Sequence, residues 1–481
     1  MRSPPPSAAA QRGVQSFYVE LHADPGANRV CAGTSCLLAG GGALRGRRVY
    51  CLGFCDRSPA ALRPDGAVAL GCRSEADLAR AEKAPRLPDV RVAAREAVVL
   101  ARLRSGDHAE LATARRAGVY TEWLRARERP AEEALAAIEA SVEQGRGGAG
   151  FPTGRKWRAA ASASGSPRFA VANGDEGDPG SFVDRALMEH DPHAVLEGLA
   201  LCAHAIGAQE GIVFVRGEYP RAADQLERAA REAAGLLDPV RVRVVRGKGS
   251  YVCGEETALL NAIEGRRGEV RLRPPHPTEH GLWGRPTVVN NVETLVNVPW
   301  ILARGPQAYR ALGTPGSPGT KVICLNHGFA KPGLLEVEFG TPLRRVIEEH
   351  AGGGADGRRL RAVVLGGPMG SVLGPESWDV PVAYGPGSRL GHGGLVAVPE
   401  GADVPALVRH WLEFMAQESC GRCAPCALGS RRALELLGEE GPLRELLGLI
   451  SDTSLCGFGQ LLPGPVLELL ALRAQDAGAV R

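Results

Sequence analysis

The sequence predicts a multidomain α/β protein, and three observations lead to that prediction. The chain has 481 residues, which is long for one domain, so roughly two to four domains are expected. Helical and strand signals alternate from about residue 95 to residue 317, as they do in α/β domains. Eight of the twelve cysteines fall in two tight groups, one before and one after that region. This order of cysteine groups and alternating signals indicates a central α/β domain flanked by smaller units that carry cysteines.

Composition and charge exclude several classes of function. The chain is 44% hydrophobic and 23% charged, as is ordinary for a soluble globular protein. A net charge of +3 is too small to indicate binding to nucleic acid or to an anionic membrane. No apolar run approaches the ~18 residues of a spanning helix. Residues 1–14, rich in Ser, Pro and Ala, lack the apolar core of a signal peptide. We therefore expect a disordered start and a cytoplasmic protein.

Residues 15–75 form the first unit, which begins with a strand predicted from Ser16. Its cysteines come in pairs with spacings C-x4-C and C-x3-C, namely Cys31, Cys36, Cys51 and Cys55. Because disulfides are typical of small secreted chains, clustered cysteines here favour metal ligation. Four thiolates suit a [2Fe–2S] cluster, and zinc is the alternative, although zinc ribbons prefer C-x2-C. Residues 76–94 are predicted to be a helical linker.

The main domain, residues 95–317, contains a glycine-rich loop at residues 145–157. Glycine permits positive φ and has no side chain, so bare N–H groups can converge on phosphate oxygens, and Lys156 adds a mobile positive charge. The glycines concerned are Gly147, Gly148, Gly150 and Gly154. Three glycines also match G-x-G-x-x-G, but that pattern normally follows a strand, whereas residues 130–140 are helical by composition. The loop is either an anion site of another kind or a plain surface turn.

Two polar loops adjoin the strands predicted in this domain, which begin near Phe169, Gly211 and Arg241. Residues 173–180 follow the first strand, at the end where ligands collect in α/β folds. Residues 247–257 run into an apolar helix. Either loop could be a solvated turn, and carboxylates at a helix start are partly explained by the helix dipole. Alone, neither loop decides the function.

Residues 318–400 form a third unit whose signals read strand, strand, helix and strand. These elements are predicted to begin near Thr320, Leu335, Pro342 and Ala362. The order predicts a ubiquitin-like β-grasp unit. Its polar residues do not converge in the sequence, so we expect it to pack between domains and to carry no chemistry.

The last unit, residues 401–481, is predicted to be a helical bundle with a metal site. A C-x2-C-x2-C run is followed 30 positions later by one more cysteine, which gives Cys420, Cys423, Cys426 and Cys456. Three thiolates from one loop and a fourth from a distant helix end suit a [4Fe–4S] cluster. Structural zinc uses the same number of ligands, but this triple spacing is unusual for zinc.

The order of these motifs resembles the NADH-binding flavoprotein subunit of respiratory complex I and its relatives. The residues that carry the resemblance are N-G-D-E-G-D-P-G at 173–180, R-P-P at 273–275 and S-L-C-G-F-G-Q at 454–460. The chain looks closest to the diaphorase subunits of NAD-linked hydrogenases and formate dehydrogenases. The resemblance covers residues from about 117 to 470 and includes the first unit. That unit resembles a thioredoxin-like ferredoxin module, shortened between Cys36 and Cys51.

The resemblance implies a Rossmann-like domain that binds FMN and NADH. FMN would lie against the glycine loop near Lys156, and NADH would stack over the flavin, with Phe151 offering an aromatic face. The polar contacts implied for FMN are Asn173, Asp175, Tyr251, Asn290, Asn291 and Thr294. The residues implied to contact the nucleotide are Glu176, Asp178, Glu255 and Glu256. Arg273 belongs to the R-P-P element, and His276, where relatives have an aromatic residue, either stacks on adenine or is a neutral loop residue.

These parts predict an NADH:acceptor oxidoreductase, or diaphorase, subunit with FMN, NAD(H), a [4Fe–4S] cluster and a [2Fe–2S] cluster. Flavin accepts hydride and releases electrons singly, so hydride transfer needs positioning rather than an acid or base. The partner is expected to be of the formate dehydrogenase or hydrogenase type, and the reaction is reversible in principle, reducing NAD+. The alternatives are the NADH-binding F subunit of an NADH:quinone oxidoreductase (complex I) and an electron-wiring or assembly subunit without nucleotide binding.

Overall fold

The computed structural model describes residues 7–41, 44–385 and 390–479. Within those residues the chain forms two four-stranded sheets, one six-stranded sheet, a two-stranded hairpin and many helices. The predicted mixed α/β, multidomain fold is confirmed. Short 3₁₀ turns connect several elements and span Val19–Leu21, Cys55–Arg57, Glu75–Arg80, Leu103–Ser105, Tyr251–Gly254, Leu282–Gly284, Ala355–Gly357, Gly367–Met369 and Pro375–Ser377.

The chain start differs from the prediction of disorder over residues 1–14 and of a strand from Ser16. Residues 1–6 lie outside the described part, and the following residues form the helix Ala8–Phe17. Ser7 caps this helix by accepting a hydrogen bond from Ala10 N at 3.2 Å. The side chain of Phe17 packs on the main domain, with the Arg267 guanidinium 4.8 Å from its ring centre. This tertiary contact and the cap stabilise a helix that composition alone did not indicate.

The first sheet belongs to the unit that carries the first group of cysteines. Its strands are, in spatial order, Arg47–Val49, Arg29–Cys31, Ala60–Leu62 and Val68–Leu70. The first two run parallel and the remaining neighbours are antiparallel. The short helix Thr34–Leu38 follows the strand Arg29–Cys31 and carries Cys36.

The predicted linker, residues 76–94, is not a helix. After the 3₁₀ turn Glu75–Arg80, its end forms the strand Val90–Val92, which pairs in parallel with Gly333–Glu338 of the third unit. The carboxylate of Glu336 then accepts hydrogen bonds from the N–H groups of Val98, Val99 and Leu100 at 2.8–3.0 Å. The segment is therefore the edge strand of a distant sheet, which local composition could not indicate.

The central sheet is fully parallel, and its three strands predicted from sequence are confirmed. In spatial order its strands are Arg241–Arg246, Glu210–Val215, Phe169–Gly174 and Thr287–Asn291. The helices of this domain span Leu111–Arg116, Thr121–Ala126, Ala131–Ser141, Thr153–Ser162, Val183–His190, Pro192–Ile206, Pro220–Glu232, Ala234–Leu237, Glu256–Ile263, Pro277–His280, Val292–Arg304 and Pro306–Arg310. Helix Pro192–Ile206 is buried along almost its whole length and forms the centre of the core.

The parallel register brings several loops to one edge of this sheet. Asn173 is paired with both Phe214 and Asn291, so these strands end side by side. The loops that follow each strand therefore meet at the carboxyl edge, where α/β sheets usually bind ligands.

The third unit contains the six-stranded sheet. Its spatial order is Ser371–Leu373, Leu360–Leu365, Gly394–Pro399, Thr320–Leu325, Gly333–Glu338 and Val90–Val92. A helical turn, Leu343–Arg345, continues as a π-helical turn over Val346–His350. The predicted strands and helix of this unit are present, and the hairpin Gly313–Thr314 with Ser317–Pro318 precedes them.

The C-terminal unit is helical, as predicted. Its helices span Val404–Glu418, Ala424–Glu435, Glu440–Thr453, Gly457–Leu461 and Pro463–Ala479. Their shared core includes Trp411, Leu447 and Leu469. Among the described residues, no helix combines the length and the apolar character needed to cross a membrane.

Candidate functional site

A cavity of about 340 Å³ lies at the carboxyl edge of the central parallel sheet. The glycine-rich loop and the loops after the strands form one side of it. The third unit contributes Gly366, Met369, Gly391 and His392, and the C-terminal unit contributes Gly457, Phe458 and Leu461. The cavity is thus closed by three units that the sequence separates.

Eight of the residues singled out in the sequence line this cavity. They are Gly147, Gly148, Asn173, Asp175, Asp178, Tyr251, Glu255 and Asn291. The other predicted residues lie around it, and their contacts decide what each can do.

The glycine loop is fixed from below by a buried arginine. Arg146 donates its backbone N–H to Thr294 Oγ1 at 2.8 Å, and its guanidinium contacts Gln144 O, Tyr309 and the ring of Phe339. Thr294 therefore acts on the loop rather than lining the cavity. The side chain of Arg146 is fully buried. A shift of the loop would therefore either expose the guanidinium or leave it buried without its partners, which is costly.

Two glycines of the loop have backbone conformations that residues with side chains rarely adopt. Gly148 has φ +113° and Gly150 has φ +61°, and a Cβ on Gly150 would lie 2.8 Å from Tyr384 Cγ. Gly154 lies instead within helix Thr153–Ser162, where a Cβ would meet the backbone of Glu139 at 2.5 Å. Gly150 and Gly154 are thus packing positions, while Gly147 and Gly148 present bare backbone to the cavity.

The aromatic and basic residues after the loop form a separate rim. Phe151 is 48% exposed, and Lys156 Nζ lies 5.9 Å from its ring centre. Lys156 Nζ also contacts Glu256 Oε2 at 3.2 Å and donates to Val289 O at 3.0 Å. Arg273 contacts the other oxygen, Glu256 Oε1, at 3.0 Å. Burial alone would raise the pKa of Glu256, but the charges of Lys156 and Arg273 outweigh burial and lower that pKa.

Asn290 and His276 have mainly local roles. Asn290 Oδ1 accepts a hydrogen bond from the indole of Trp157 at 2.8 Å, which joins helix Thr153–Ser162 to the sheet. His276 is exposed and precedes the short helix Pro277–His280 as its N-cap. Neither residue is among those that line the cavity.

The carboxylate-rich loop combines structural and unpartnered carboxylates. Glu176 accepts hydrogen bonds from Asp184 N and Arg185 N at 2.9 and 2.8 Å, so it holds the start of helix Val183–His190. Burial, followed by the charge of Asp184, raises the pKa of Glu176. Asp178 accepts a hydrogen bond from the Tyr251 hydroxyl. Asp175 Oδ2 is buried without a hydrogen-bond partner, and burial raises the pKa of Asp175.

Sequence reasoning missed a polar cluster in the cavity wall. Asp184 Oδ2 lies 3.0 Å from His392 Nε2 and accepts a hydrogen bond from Asn291 Nδ2 at 2.5 Å. Asp184 and His392 were not singled out because Asp184 lies inside a helix and His392 lies in the third unit. The third unit, which was expected to carry no chemistry, thus contributes residues to the cavity wall. No local motif marks His392, because only the tertiary fold brings it to the cavity.

The first group of cysteines forms a buried site beside the carboxylate-rich loop. Cys51 Sγ lies 3.6 Å from both Cys31 Sγ and Cys55 Sγ. Cys36 interacts with the Cys31 thiol and also lies 3.5 Å from Ser58 Oγ. All four cysteines are buried. Converging thiols without a disulfide are the donor set that an iron–sulfur cluster requires.

This cysteine site is attached directly to the cavity wall. Arg185 Nε donates to Gly53 O at 3.0 Å. Arg216 donates to Tyr50 O at 2.6 Å and to Glu176 O at 2.8 Å. One buried guanidinium therefore joins the backbone next to Cys51 to the loop that lines the cavity.

The second group of cysteines lies in the C-terminal unit. Cys423 precedes helix Ala424–Glu435, and Cys456 precedes helix Gly457–Leu461. The backbone N–H groups of Phe458 and Gly459 donate to the Cys456 sulfur, as first-turn donors do for an anion. Cys426 lies among Cys420, Cys423 and Cys456, and Ser419 Oγ is 3.3 Å from its sulfur. Gly457, the residue after Cys456, already lines the cavity.

An aromatic cluster connects the two cysteine sites and the cavity. Tyr50, next to Cys51, has its ring centre 5.1 Å from that of Phe414. Phe414 in turn lies 5.0 Å from Tyr251 and 5.8 Å from Phe458, both of which line the cavity. The three candidate sites thus share one packed interior.

Comparison with known proteins gives a consistent result. Residues 138–300 match the family model described as the Nuo51 FMN-binding domain. Residues 406–477 match the NADH-ubiquinone oxidoreductase-F iron-sulfur binding region. The two matches contain the glycine loop and the second group of cysteines, respectively.

Curated relatives and solved structures extend the similarity to most of the chain. The chain is 40% identical over 368 residues to the NADP-reducing hydrogenase subunit HndC of Solidesulfovibrio fructosivorans, covering 72% of this chain and 75% of that protein. It is 41% identical over 352 residues to the second NADH-quinone oxidoreductase F subunit of Rhizobium meliloti, covering 68% and 84%. A chain of an NAD+-reducing [NiFe]-hydrogenase in the H2-reduced state superimposes with a TM-score of 0.84 at 31% identity, covering 98% of this chain and 87% of that one.

Proposed function

The chain belongs to the family formed by the F subunits of NADH-quinone oxidoreductases and the related hydrogenase subunits, and we propose that it is a diaphorase subunit that oxidises NADH. One observation carries the proposal. The glycine loop, the carboxylate-rich loop and the turn after Cys456 enclose one cavity of about 340 Å³. A nucleotide site and a cysteine site that share a wall suit transfer of electrons from a nucleotide to a cluster.

The residues of the cavity fit FMN and NAD(H). Gly147 and Gly148 present backbone without side chains, as a flat anionic cofactor requires. The buried, unpartnered Asp175 Oδ2 can accept a hydrogen bond from a hydroxyl group, and Asn173 and Asn291 add amide groups beside it. Bound FMN would supply the conversion between hydride transfer and single-electron transfer. Phe151 and Lys156 form the rim at which the nucleotide would enter.

The chain contributes position and exclusion of water rather than proton transfer. Tyr251, held by Asp178, and Phe458 form apolar faces of the cavity. Arg146 and Thr294 fix the glycine loop from beneath. Holding two reactants in register supplies much of the rate of such a reaction, and preorganised walls reduce reorganisation.

We propose NADH rather than NADPH as the donor. Glu255 lines the cavity, and its Oε1 is buried and makes no hydrogen bond, with the Arg273 guanidinium 3.5 Å away. A carboxylate at the ribose of a dinucleotide accepts its 2′-hydroxyl and repels a 2′-phosphate. Glu256 serves this less well, because it has two cations in closer contact, Lys156 at 3.2 Å and Arg273 at 3.0 Å.

We assign the two cysteine sites to iron–sulfur clusters. Cys420, Cys423, Cys426 and Cys456 would hold a [4Fe–4S] cluster, which accepts electrons one at a time. Cys31, Cys36, Cys51 and Cys55 would hold a [2Fe–2S] cluster. The sulfur–sulfur distances in the first group and the interactions of Cys426 with the other three cysteines in the second support these assignments, as does the absence of disulfides among the described cysteines.

The finer architecture follows from these assignments. We propose a shortened thioredoxin-like module at residues 15–75, a Rossmann-like FMN and NADH domain at 95–317, a β-grasp unit at 318–400 and a helical bundle at 401–481. The mixed sheet of the first unit and the fully parallel central sheet support the first two. Strand Val90–Val92 extends the β-grasp sheet beyond its proposed boundary.

We propose that the subunit works in the cytoplasm with a partner of the hydrogenase or formate dehydrogenase type. The superposition that spans 98% of the chain, including the first unit, favours the hydrogenase type. Membership of a complex I-like assembly is the second candidate, favoured by 41% identity to an F subunit of an NADH-quinone oxidoreductase.

Anaerobic purification followed by flavin, iron and zinc assays tests the proposal. We expect FMN, about six irons per chain from the two clusters, and NADH-dependent reduction of an artificial dye. About four irons would mean that the first unit holds no cluster. Zinc in place of iron together with no flavin would contradict the diaphorase function. Equal rates with NADPH would contradict the role of Glu255.

A further inference from the structure

The wall of the cavity contains a buried histidine that the proposed function has not used. His392 is 4% exposed and lines the cavity beside Gly391 and Gly366. Its Nε2 lies 3.0 Å from Asp184 Oδ2 and 3.0 Å from Asn291 Nδ2. The Asn291 side chain is fixed in turn because its Oδ1 accepts the N–H of Thr294 at 3.1 Å. His392 is thus held in one orientation by Asp184, whose Oδ2 also accepts a hydrogen bond from Asn291 Nδ2.

The cluster of Glu176, Asp184 and His392 has donors close enough for a metal ion, but its carboxylates are already engaged. Glu176 accepts two backbone N–H groups, one on each oxygen. Asp184 Oδ1 accepts the N–H of Glu293 at 3.0 Å, and Asp184 Oδ2 contacts Asn291 and His392. Hydrogen bonds within the protein therefore use the oxygens that a metal would need. The cluster is better explained as the support of a charged histidine.

Several charged groups face His392 and determine its protonation. Asp184 from helix Val183–His190 and Glu176 from the loop before it are carboxylates, while Lys321 from strand Thr320–Leu325 is the opposing cation. Asp178 in the same loop also interacts with His392. Burial alone lowers the pKa of His392, but Asp184, through charge and hydrogen bond, and then Glu176 outweigh burial and raise that pKa to about 9. The imidazole is therefore a cation at neutral pH.

We propose that His392, held as a cation by Asp184, stabilises the negative charge that bound flavin gains on reduction and so raises its reduction potential. This inference rests on the proposed function, because it requires FMN in the cavity. It goes beyond that function by assigning an electrostatic role to a residue of the third unit.

The charge balance of hydride transfer explains why a cation matters there. The hydride carries two electrons and one proton, so NADH leaves as NAD+ and the flavin gains one negative charge. A fixed cation in a cavity of low dielectric constant lowers the free energy of that charged product. His392 need not move a proton for this effect, since its charge is already present before the transfer.

The test replaces the cation by a neutral side chain of similar polarity. We expect His392→Gln to keep FMN but to lower the flavin reduction potential at pH 7. The equilibrium constant for reduction should fall about tenfold or more, which for a two-electron couple is about 30 mV. The measurement is an anaerobic spectroelectrochemical titration in which the flavin difference spectrum is separated from that of the clusters.

A matched control is His190→Gln. His190 is 3% exposed and its Nδ1 contacts Asp107 Oδ2 at 2.7 Å, so it is also a buried histidine paired with an aspartate. His190 is not among the residues that line the cavity. Its replacement should leave the flavin potential unchanged.

A second measurement needs no variant. The protein's own groups raise the pKa of His392 to about 9, and the negative charge of reduced flavin should raise that pKa further than neutral oxidised flavin does. Between those two pKa values, reduction takes up one extra proton. The wild-type potential should therefore fall more steeply with pH above about pH 9, and this added steepness should be missing in His392→Gln.

The outcomes separate the inference from the proposed function. If wild-type protein purifies without flavin and binds none, the proposed function fails. If FMN is bound but His392→Gln has the wild-type potential, the inference is wrong and His392 is structural. If the variant loses FMN, the pH dependence of the wild-type flavin potential tests the inference instead. A potential that does not fall more steeply above about pH 9 overturns the inference.

Discussion

Gly150 cannot carry a side chain for two reasons, its left-handed backbone conformation and the neighbouring ring of Tyr384. Its φ of +61° is left-handed, and a Cβ would lie 2.8 Å from Tyr384 Cγ. Tyr384 in turn donates its hydroxyl within reach of both Arg146 O and Gly391 O, each at 3.3 Å. One ring therefore positions the glycine loop and the loop that carries His392 against each other.

We predict that Gly150→Ala weakens FMN binding by about tenfold or more, since strain and a displaced Tyr384 move both loops. Gly66→Ala is the control, because Gly66 has φ +82° but open space around its Cβ position. Both variants carry backbone strain, and only the first meets a clash. Flavin release on dilution, followed by fluorescence, measures the difference. Equal FMN affinity in the two variants would contradict the role of Tyr384 in positioning the two loops.

At the scale of elements, buried carboxylates hold helix starts in several places. Glu197, in the buried helix Pro192–Ile206, accepts the N–H groups of Glu122 and Trp123 with Oε1, both at 3.2 Å. It thereby caps helix Thr121–Ala126 from another helix. Burial raises the pKa of Glu197 from 4.5 to about 7, against the lowering effect of these backbone donors.

This cap predicts a pH dependence of stability. Below pH 4.5 Glu197 is protonated in both folded and unfolded states, and between 4.5 and about 7 only the folded state keeps the proton. The free energy of unfolding should therefore lose about 1.4 kcal/mol per pH unit from this group as pH rises through that window. Glu197→Gln should remove that part of the slope in anaerobic urea unfolding. The exposed Glu133→Gln is the control, and an unchanged slope in Glu197→Gln would contradict the prediction.

At the scale of the whole molecule, the two cysteine sites belong to different units that pack around one aromatic cluster next to the cavity. We predict that Cys51→Ser removes about two irons per chain and leaves FMN and about four irons in place. Cys72→Ser should keep all iron, because Cys72 is buried but its thiol contacts Ser74 O rather than the other cysteines. Iron and flavin assays on the purified variants provide the check. Loss of flavin in Cys51→Ser would instead indicate that the first unit supports the cavity.

The sequence indicated local elements well and long-range assembly less well. Strands near Phe169 and Gly211 were predictable because their apolar runs and flanking breakers are local signals. Helix Ala8–Phe17 was missed, since contacts with distant residues such as Arg267 stabilise it. Eight residues of the cavity wall came from the glycine-rich loop or from the contacts that the family resemblance implies. His392 could not be found in this way, because no feature near it in sequence marks the residue, and only the tertiary packing of the units brings it to Asp184.

Strand Val90–Val92 has a consequence for how the chain is made. Its partner, Gly333–Glu338, leaves the ribosome only after the entire central domain has been synthesised. Until then the strand Val90–Val92 has no partner, and the segment after the first unit offers an unpaired strand edge. Pairing of that segment must therefore be a late event in biogenesis, and shortened translation products that stop before residue 333 should be prone to aggregate. The order of insertion of the two clusters is then coupled to chain length, since the first cysteine site precedes its final surroundings.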